Sequence, residues 1–293
     1  MNLFRTLFLA SRSHTLTASL SPVLLSYALL GRDFYLHVSW YAFCALIQLA
    51  TNLHNDYADH VLGADDSSTR VGSKRVTSAG LLRPTTTLGL SLLLAASASA
   101  VAAFVLPRHA YLPFIAVTSV ANVFLYTGGP PTSYVLGSFS YAYSGSADVV
   151  CFLYFGLAAA ATPALLSSAM SPAVLGAGVV SGLQSAAILT VNNVRDRFTD
   201  PLAGKNTIAA TLGGRVGRMM YTVEVLTPYL LALLLYPGQL GGGVVAAPVA
   251  FKAWRWVMVK EGRELDKGIG MTAAAQVLFA GGVLAQAFLQ NEK

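Results

Sequence analysis

Charge is what this chain has least of. Only 11% of its 293 residues are Asp, Glu, Lys or Arg, under half the roughly 25% usual in soluble domains. Acidic residues are the scarcer kind, thirteen against nineteen Lys and Arg. With 55% hydrophobic residues and a mean hydropathy of +0.58, this shortage excludes an ordinary soluble fold and reads as an integral membrane protein. Cysteine is nearly absent: Cys44 and Cys151 lie in apolar runs without disulfide or metal-ligand spacing, so both are expected to be small packing residues. No linker or low-complexity tract divides residues 1–293, which are read as a single domain. No basic patch is interleaved with aromatics, which excludes nucleic-acid binding by base stacking. The apolar N-terminal stretch has no small-residue cleavage site behind it, and no removable leader is expected.

Apolar stretches are abundant. Runs long enough to span a bilayer as helix, about 20 residues, are predicted near 14–31, 37–55, 86–106, 111–127, 147–168, 172–193, 218–236, 241–259 and 270–289. The expected fold is therefore all-α, a polytopic bundle of about nine transmembrane helices. Only "GGPPTSYVLGSFS" (Gly128 to Ser140) is too rich in turn residues for a plain span. With nine spans, sixteen basic residues fall on one face, in the N-terminal segment and the loops after the second, sixth and eighth spans, leaving Arg32, Arg108 and Lys293 on the other. The positive-inside rule makes the first face cytoplasmic. The net charge of +6 is thus mainly a topology signal.

The few acidic residues are concentrated. Six of the thirteen lie in two segments on that face: Asp56, Asp59, Asp65 and Asp66 in "NDYADHVLGADD", and Asp196 and Asp200 in "NNVRDRFTDPLAGKNT". Continued as helix, Gln48, Asn52, Asn55 or Asp56, and Asp59 share one face, as do Asn192, Asp196 and Asp200. An ordinary solvated loop accounts for a single Asp. It does not account for carboxylates that begin inside an apolar helix, where a charge costs about 2.5–3.5 kcal/mol at the centre, and that would repel one another without a cation between them. The fitting cation is Mg2+, a hard ion that takes carboxylate oxygens and is shared with phosphates. Arg70, Lys74 and Arg75 follow the first cluster, and Arg195, Arg197 and Lys205 surround the second. Such cations suit phosphate oxygens, so the expected ligand is a magnesium-bound diphosphate.

At these residues the chain resembles a known family. "NLHNDYADHVLGAD" followed by "RVGSKRVTSAGLL", and then "NNVRDRFTDPLAGKNTIAATLG", are similar to the two Asp-rich signatures of UbiA-type membrane prenyltransferases, more narrowly the branch that prenylates 1,4-dihydroxy-2-naphthoate toward menaquinone or phylloquinone. "SRSHTLTASLSPVLLSYAL", "YTGGPP" and "ADVVCFLYFG" add support. The resemblance implies nine helices, an active site near the cytoplasmic surface capped by two Asp-rich loops, and a lipid-facing opening for the prenyl chain. It assigns Asn55, Asp56, Asp59, Asp65, Asn192, Asp196 and Asp200 to the metal, with Asp56, Asp59, Asp196, Asp200 and Lys205 carrying catalysis. Arg70, Arg75 and Lys205 fit its phosphate-binding positions, and Asn193 its Asn pair before the second motif. Beside the resemblance, Lys74 is read with the diphosphate cations, and Asn52, Asn122 and Tyr126, the last two spaced i,i+4 near the cytoplasmic end of the fourth span, as substrate contacts. Ser73 stands where the family places Pro, and Ser13 and His14 stand in an Arg-Pro-Lys-like position, departures that bear on acceptor contacts and loop shape.

The implied reaction is electrophilic aromatic substitution. Mg2+ and the cations stabilise the leaving diphosphate of a polyprenyl donor, the allylic bond ionises, and the electron-rich ring attacks with loss of carbon dioxide. Asn122 and Tyr126 have interhelical packing as their alternative role, and Asp148 is either a site contact or a carboxylate favoured at a helix N-terminus. His54 and His60 flank oxygen-ligand chemistry that does not call for imidazole; His14, His37 and His109, and the indoles of Trp40, Trp254 and Trp256, are expected at the membrane interface. Competing readings are a 4-hydroxybenzoate or homogentisate acceptor and, in another class, an ion-coupled transporter, whose acidic residues should sit at mid-bilayer. A CDP-alcohol phosphotransferase is excluded because His60 follows Asp59 where that family needs Gly.

Overall fold

The computed structural model describes residues 3–31, 33–65, 71–72, 75–137 and 139–292. Asp66, Arg70, Ser73 and Lys74 lie outside them, so the expectations placed on those residues carry no structural account. A short helix α1 (Leu3–Ser11) leads into α2 (Ser13–Leu30), α3 (Phe34–Val61), α4 (Pro84–Phe104) and α5 (Leu112–Leu125). After a turn-rich passage come α6 (Ala147–Leu166), α7 (Pro172–Asp196), α8 (Gly214–Leu235), α9 (Ala247–Val259) and α10 (Leu265–Asn291). No strand occurs among the described residues. Each of the nine expected spans falls on one of the helices α2 to α10. Six of those helices are by themselves long and apolar enough to cross a membrane; α2, α5 and α9 are shorter, α9 being extended at its start by a 3₁₀ turn, Gly241–Ala246. The chain is an integral membrane protein.

The ends follow local chemistry. Gly31 takes the left-handed conformation that closes α2, and Asp33 caps α3 by accepting from the Leu36 N–H at 2.9 Å. Ser171 caps α7 ahead of Pro172. The passage after α5 is irregular as expected, with Gly128 and Gly129 at positive φ and a single helical turn at Ser133–Leu136. Helices α3 and α4 pack side by side, α10 lies against α2, and α7 is the most enclosed element, packed on α6, α8 and α10.

Two interfacial expectations are corrected here. Trp40 is 1% exposed, stacked on Phe43, and its indole N–H donates to the Ala159 carbonyl at 2.8 Å; because α6 supplies that acceptor inside the bundle, no interfacial water is needed. His37 is likewise buried, with Nδ1 3.0 Å from the Asp33 carbonyl oxygen. Trp256 fits the interface, carrying Lys260 and Lys267 over its ring.

Candidate active site

One cavity of about 510 Å³ runs inside the bundle, walled by α2, α3, α5, α6, α7 and α10. Its wall on α3 is a single stripe, Trp40, Phe43, Cys44, Ile47, Gln48, Thr51, Asn52, Asn55 and Asp59, stepping three or four residues per turn as one helical face must. The stripe grades from aromatic through amide to carboxylate, and its nineteen-residue rise from Trp40 to Asp59 is about 28 Å at 1.5 Å per residue. Opposite, α6 gives Val150, Cys151, Tyr154 and Phe155, while α7 runs from Ser185 and Ile188 to Asn192, Asn193 and Asp196. The two cysteines are therefore wall residues of an apolar channel.

Both acidic segments meet at one end. The ligand-type side chains start on helices rather than in loops: α3 continues to Val61 and α7 ends at Asp196, so only Asp65 and Asp200 are loop residues. Lys205 Nζ crosses from the second segment to Asp59 Oδ2 at 2.8 Å, and the Tyr143 hydroxyl donates to Asp59 Oδ1 at 3.0 Å. Asn55 Nδ2 donates to Thr127 Oγ1 at 2.8 Å, and Ser78 donates to Asp65 at 2.9 Å. Asp200 accepts from the Thr207 hydroxyl at 3.1 Å; burial, and then the neighbouring charge of Asp196, push its carboxyl up to about 7. Burial and the Asp59 carboxylate raise the Tyr143 phenol above its ordinary value.

Of the residues singled out from the sequence, Asn52, Asn55, Asp59, Asp65, Arg75, Asn122, Tyr126, Asn192, Asn193, Asp196, Asp200 and Lys205 all line this cavity. Asp56 does not. Its carboxylate turns to the flank, where Arg12, Arg75 and the Val76 N–H donate to it, because it sits about 100° round the helix from Asn55. Arg197 also points away, donating to the Val194 carbonyl and pairing with Glu261. Asn122 has a buried Nδ2 that donates to nothing among the described residues, and Asn52 is spent on Ser11, Thr15 and Gln48. Asp148 is off the wall, within 3.5 Å of the Thr190 hydroxyl. His54 braces the turn-rich passage through the Gly128 carbonyl, 3.0 Å from Nε2, while His60 is exposed.

The sequence left Tyr143 without a role, and Arg12 and Asp266 as well. Arg12 lines the cavity and donates to Asn55 Oδ1 at 2.8 Å; the clue was its place in "SRSHTLT" just before the first span. Asp266, at the start of α10, reaches Arg195 Nη1 at 2.5 Å, and a lone Asp far from both clusters offers no signal in sequence.

An oxygen-lined pole ringed by cations and opening on a long apolar channel is the arrangement a lipid diphosphate needs. The profile of the UbiA prenyltransferase family matches residues 19–268. The chain belongs to this family. Among UbiA relatives, the 1,4-dihydroxy-2-naphthoate octaprenyltransferase of Mycobacterium tuberculosis is 31% identical, over 92% of each chain. The protein of that name from Escherichia coli is 30% identical over 75% of this chain and 72% of its own. The UbiA prenyltransferase domain-containing protein 1 of Danio rerio is 30% identical over 83% of this chain and 73% of its own. A solved structure concerned with digeranylgeranylglyceryl phosphate synthase shares the fold, with a TM-score of 0.59 at 14% identity over 99% of this chain and 100% of its own.

Proposed function

We propose that this protein transfers a polyprenyl group from a polyprenyl diphosphate to 1,4-dihydroxy-2-naphthoate, with decarboxylation, on the cytoplasmic side of the membrane. The observation that carries this is one cavity whose wall on α3 runs about 28 Å from the apolar Trp40 end to the carboxylate and cation pole at Asp59, read with the naphthoate octaprenyltransferase names of the relatives.

The donor set at the pole is all oxygen: the Asn55 amide and the carboxylates of Asp59, Asp65, Asp196 and Asp200. It suits Mg2+, which favours hard ligands and leaves much of its shell to water and phosphate. Among the described residues no three acidic, His or Cys side chains form a ligand group of their own, so phosphate and water oxygens would have to complete the shell. When bound, Mg2+ would supply charge neutralisation on the diphosphate as it leaves. Lys205, Arg195 and Arg75 stand at the same pole to receive phosphate oxygens, and Asp56 anchors Arg75 from behind. The apolar wall of α3 and α6 seats the isoprenoid and keeps water from the allylic cation. Asn122, with its free donor, and Tyr126 lie between pole and channel, where the aromatic acceptor has to meet the prenyl carbon.

Purified protein given Mg2+ and a long-chain prenyl diphosphate should turn 1,4-dihydroxy-2-naphthoate into a prenylated naphthalenediol, releasing one carbon dioxide and one diphosphate per turnover. With 4-hydroxybenzoate it should do little. Mass spectrometry of the lipid extract checks this: a product that keeps its carboxylate, or is built on benzoate, rejects the substrate assignment.

A further inference from the structure

Arg195 is fixed in place by three parts of the chain: the end of α7, the start of α10 and the backbone at Gly72. It is 5% exposed and takes Asp196 with two prongs, Nε to Oδ1 at 2.8 Å and Nη2 to Oδ2 at 2.6 Å. Nη2 also donates to Asn192 at 2.6 Å, and Nη1 to Asp266 at 2.5 Å. The backbone after the first Asp-rich segment lies over it: a Cβ on Gly72 would fall 2.5 Å from Nη2, so the backbone approaches this closely only because residue 72 has no side chain. Beside it, Arg263 Nε donates to the Val71 carbonyl at 3.3 Å. A guanidinium packed this way is built into the site, unlike a surface cation.

Its position conflicts with metal binding. Asp196 has both oxygens engaged by Arg195, and Asp59 is held by Lys205 and Tyr143. A bare divalent ion would have to displace both cations from these carboxylates and would then stand beside them, with Asp266 still on Arg195 but no phosphate to offset the added positive charge. Arriving with a diphosphate, it brings the oxygens that Arg195 and Lys205 need. We propose that Arg195, held by Asp266, guards Asp196 and admits the divalent ion only together with its diphosphate, so that metal and donor bind as one unit. This rests on the diphosphate reading of the site and adds the order of binding. Arg195 gives up Asp196 to the metal, keeps Asp266, and gains a phosphate oxygen; Asp266 is the positioning residue that makes the exchange possible.

The test is metal binding by the full chain in detergent, using Mn2+ followed by electron paramagnetic resonance, with and without methylene diphosphonate. Neither probe needs an acceptor or turnover. In the unaltered protein the diphosphonate should tighten Mn2+ by about tenfold or more, a typical coupling between two sites. Arg195→Gln should bind Mn2+ alone about fivefold or more tightly than the unaltered protein, with the coupling shrinking toward one, although turnover falls. Asp266→Asn should leave Mn2+ alone as weak as before and weaken binding only when diphosphonate is present. Equal Mn2+ affinity with and without diphosphonate in the unaltered protein, or an unchanged Mn2+-only affinity in Arg195→Gln, overturns the proposal. Should Arg195→Gln not fold, Asp266→Asn decides, and unchanged binding with diphosphonate overturns it. Mn2+ binding under neither condition would reject the metal site itself and this order with it, whereas tight Mn2+ binding insensitive to Arg195 would reject the order alone.

Discussion

Asp56 and Asp59 are three residues apart on one helix and face different surroundings. Asp59 lines the cavity, whereas Asp56 is taken up by Arg12, Arg75 and the Val76 N–H on its flank. Changing Asp59 or Asp196 to Asn should therefore lower turnover by about 100-fold or more in a protein that still folds, since both are proposed metal ligands and losing one would weaken stabilisation of the charged transition state. Asp56→Asn should behave differently, raising the donor's Michaelis constant more than it lowers turnover, because it loosens Arg75, proposed to receive phosphate, and Arg12 beside it. Steady-state kinetics at saturating Mg2+ separate the two patterns; equal turnover losses at 56 and 59 would place both on the metal. The sequence made the acidic positions visible because carboxylates are so rare in it. It could not say whether Asn55 or Asp56 faced inward, since both fit a 3–4 spacing and only the packing of α3 against its neighbours fixes the rotation.

Helices α6 and α7 show why element boundaries were legible and interruptions were not. Apolar run length and the Ser171-Pro172 start place α7, but hydropathy does not register that α6 turns to π geometry over Phe152–Ala158. There Gly156 meets α7 so closely that a Cβ would lie 2.6 Å from both the Gly178 carbonyl oxygen and the Gly182 Cα. Gly178 and Gly182 are the four-residue small pair that lets two helices approach in a membrane. The similar π segment at Leu231–Leu235 follows Pro228, whose missing N–H breaks the regular ladder. A side chain at 182 would strike the Phe152 carbonyl oxygen at 2.7 Å and the Phe152 ring. Gly182→Leu should thus destabilise the α6–α7 contact by about 1–3 kcal/mol through overpacking, read as a lower melting temperature in detergent, while Gly270→Ala, open to space within 4 Å, should not. Equal melting of the two variants would show that the close approach is not structural.

At the scale of the whole molecule, the charge pattern and the site must agree on a side. Lys205 paired with Asp59, Arg75 with Asp56 and Arg195 with Asp196 gather at one end of the bundle, the end we propose is cytoplasmic from the count of Lys and Arg in the loops. Soluble substrates and Mg2+ would then enter from the cytoplasm, and the isoprenoid from the bilayer along the apolar channel. Two exposed positions test the orientation: Leu202 in the second Asp-rich segment, 82% exposed, and Tyr111 before α5, 60% exposed. The native thiols of Cys44 and Cys151 line an internal wall and should give little background. In intact bacterial cells producing the protein, a membrane-impermeant maleimide should label Tyr111→Cys at once and Leu202→Cys only after the membrane is opened. The reverse pattern would turn the whole bundle over, placing the metal pole outside, where a cytoplasmic naphthoate could not reach it; the fold and the carboxylate site would survive that result, and the proposed route of the acceptor would not.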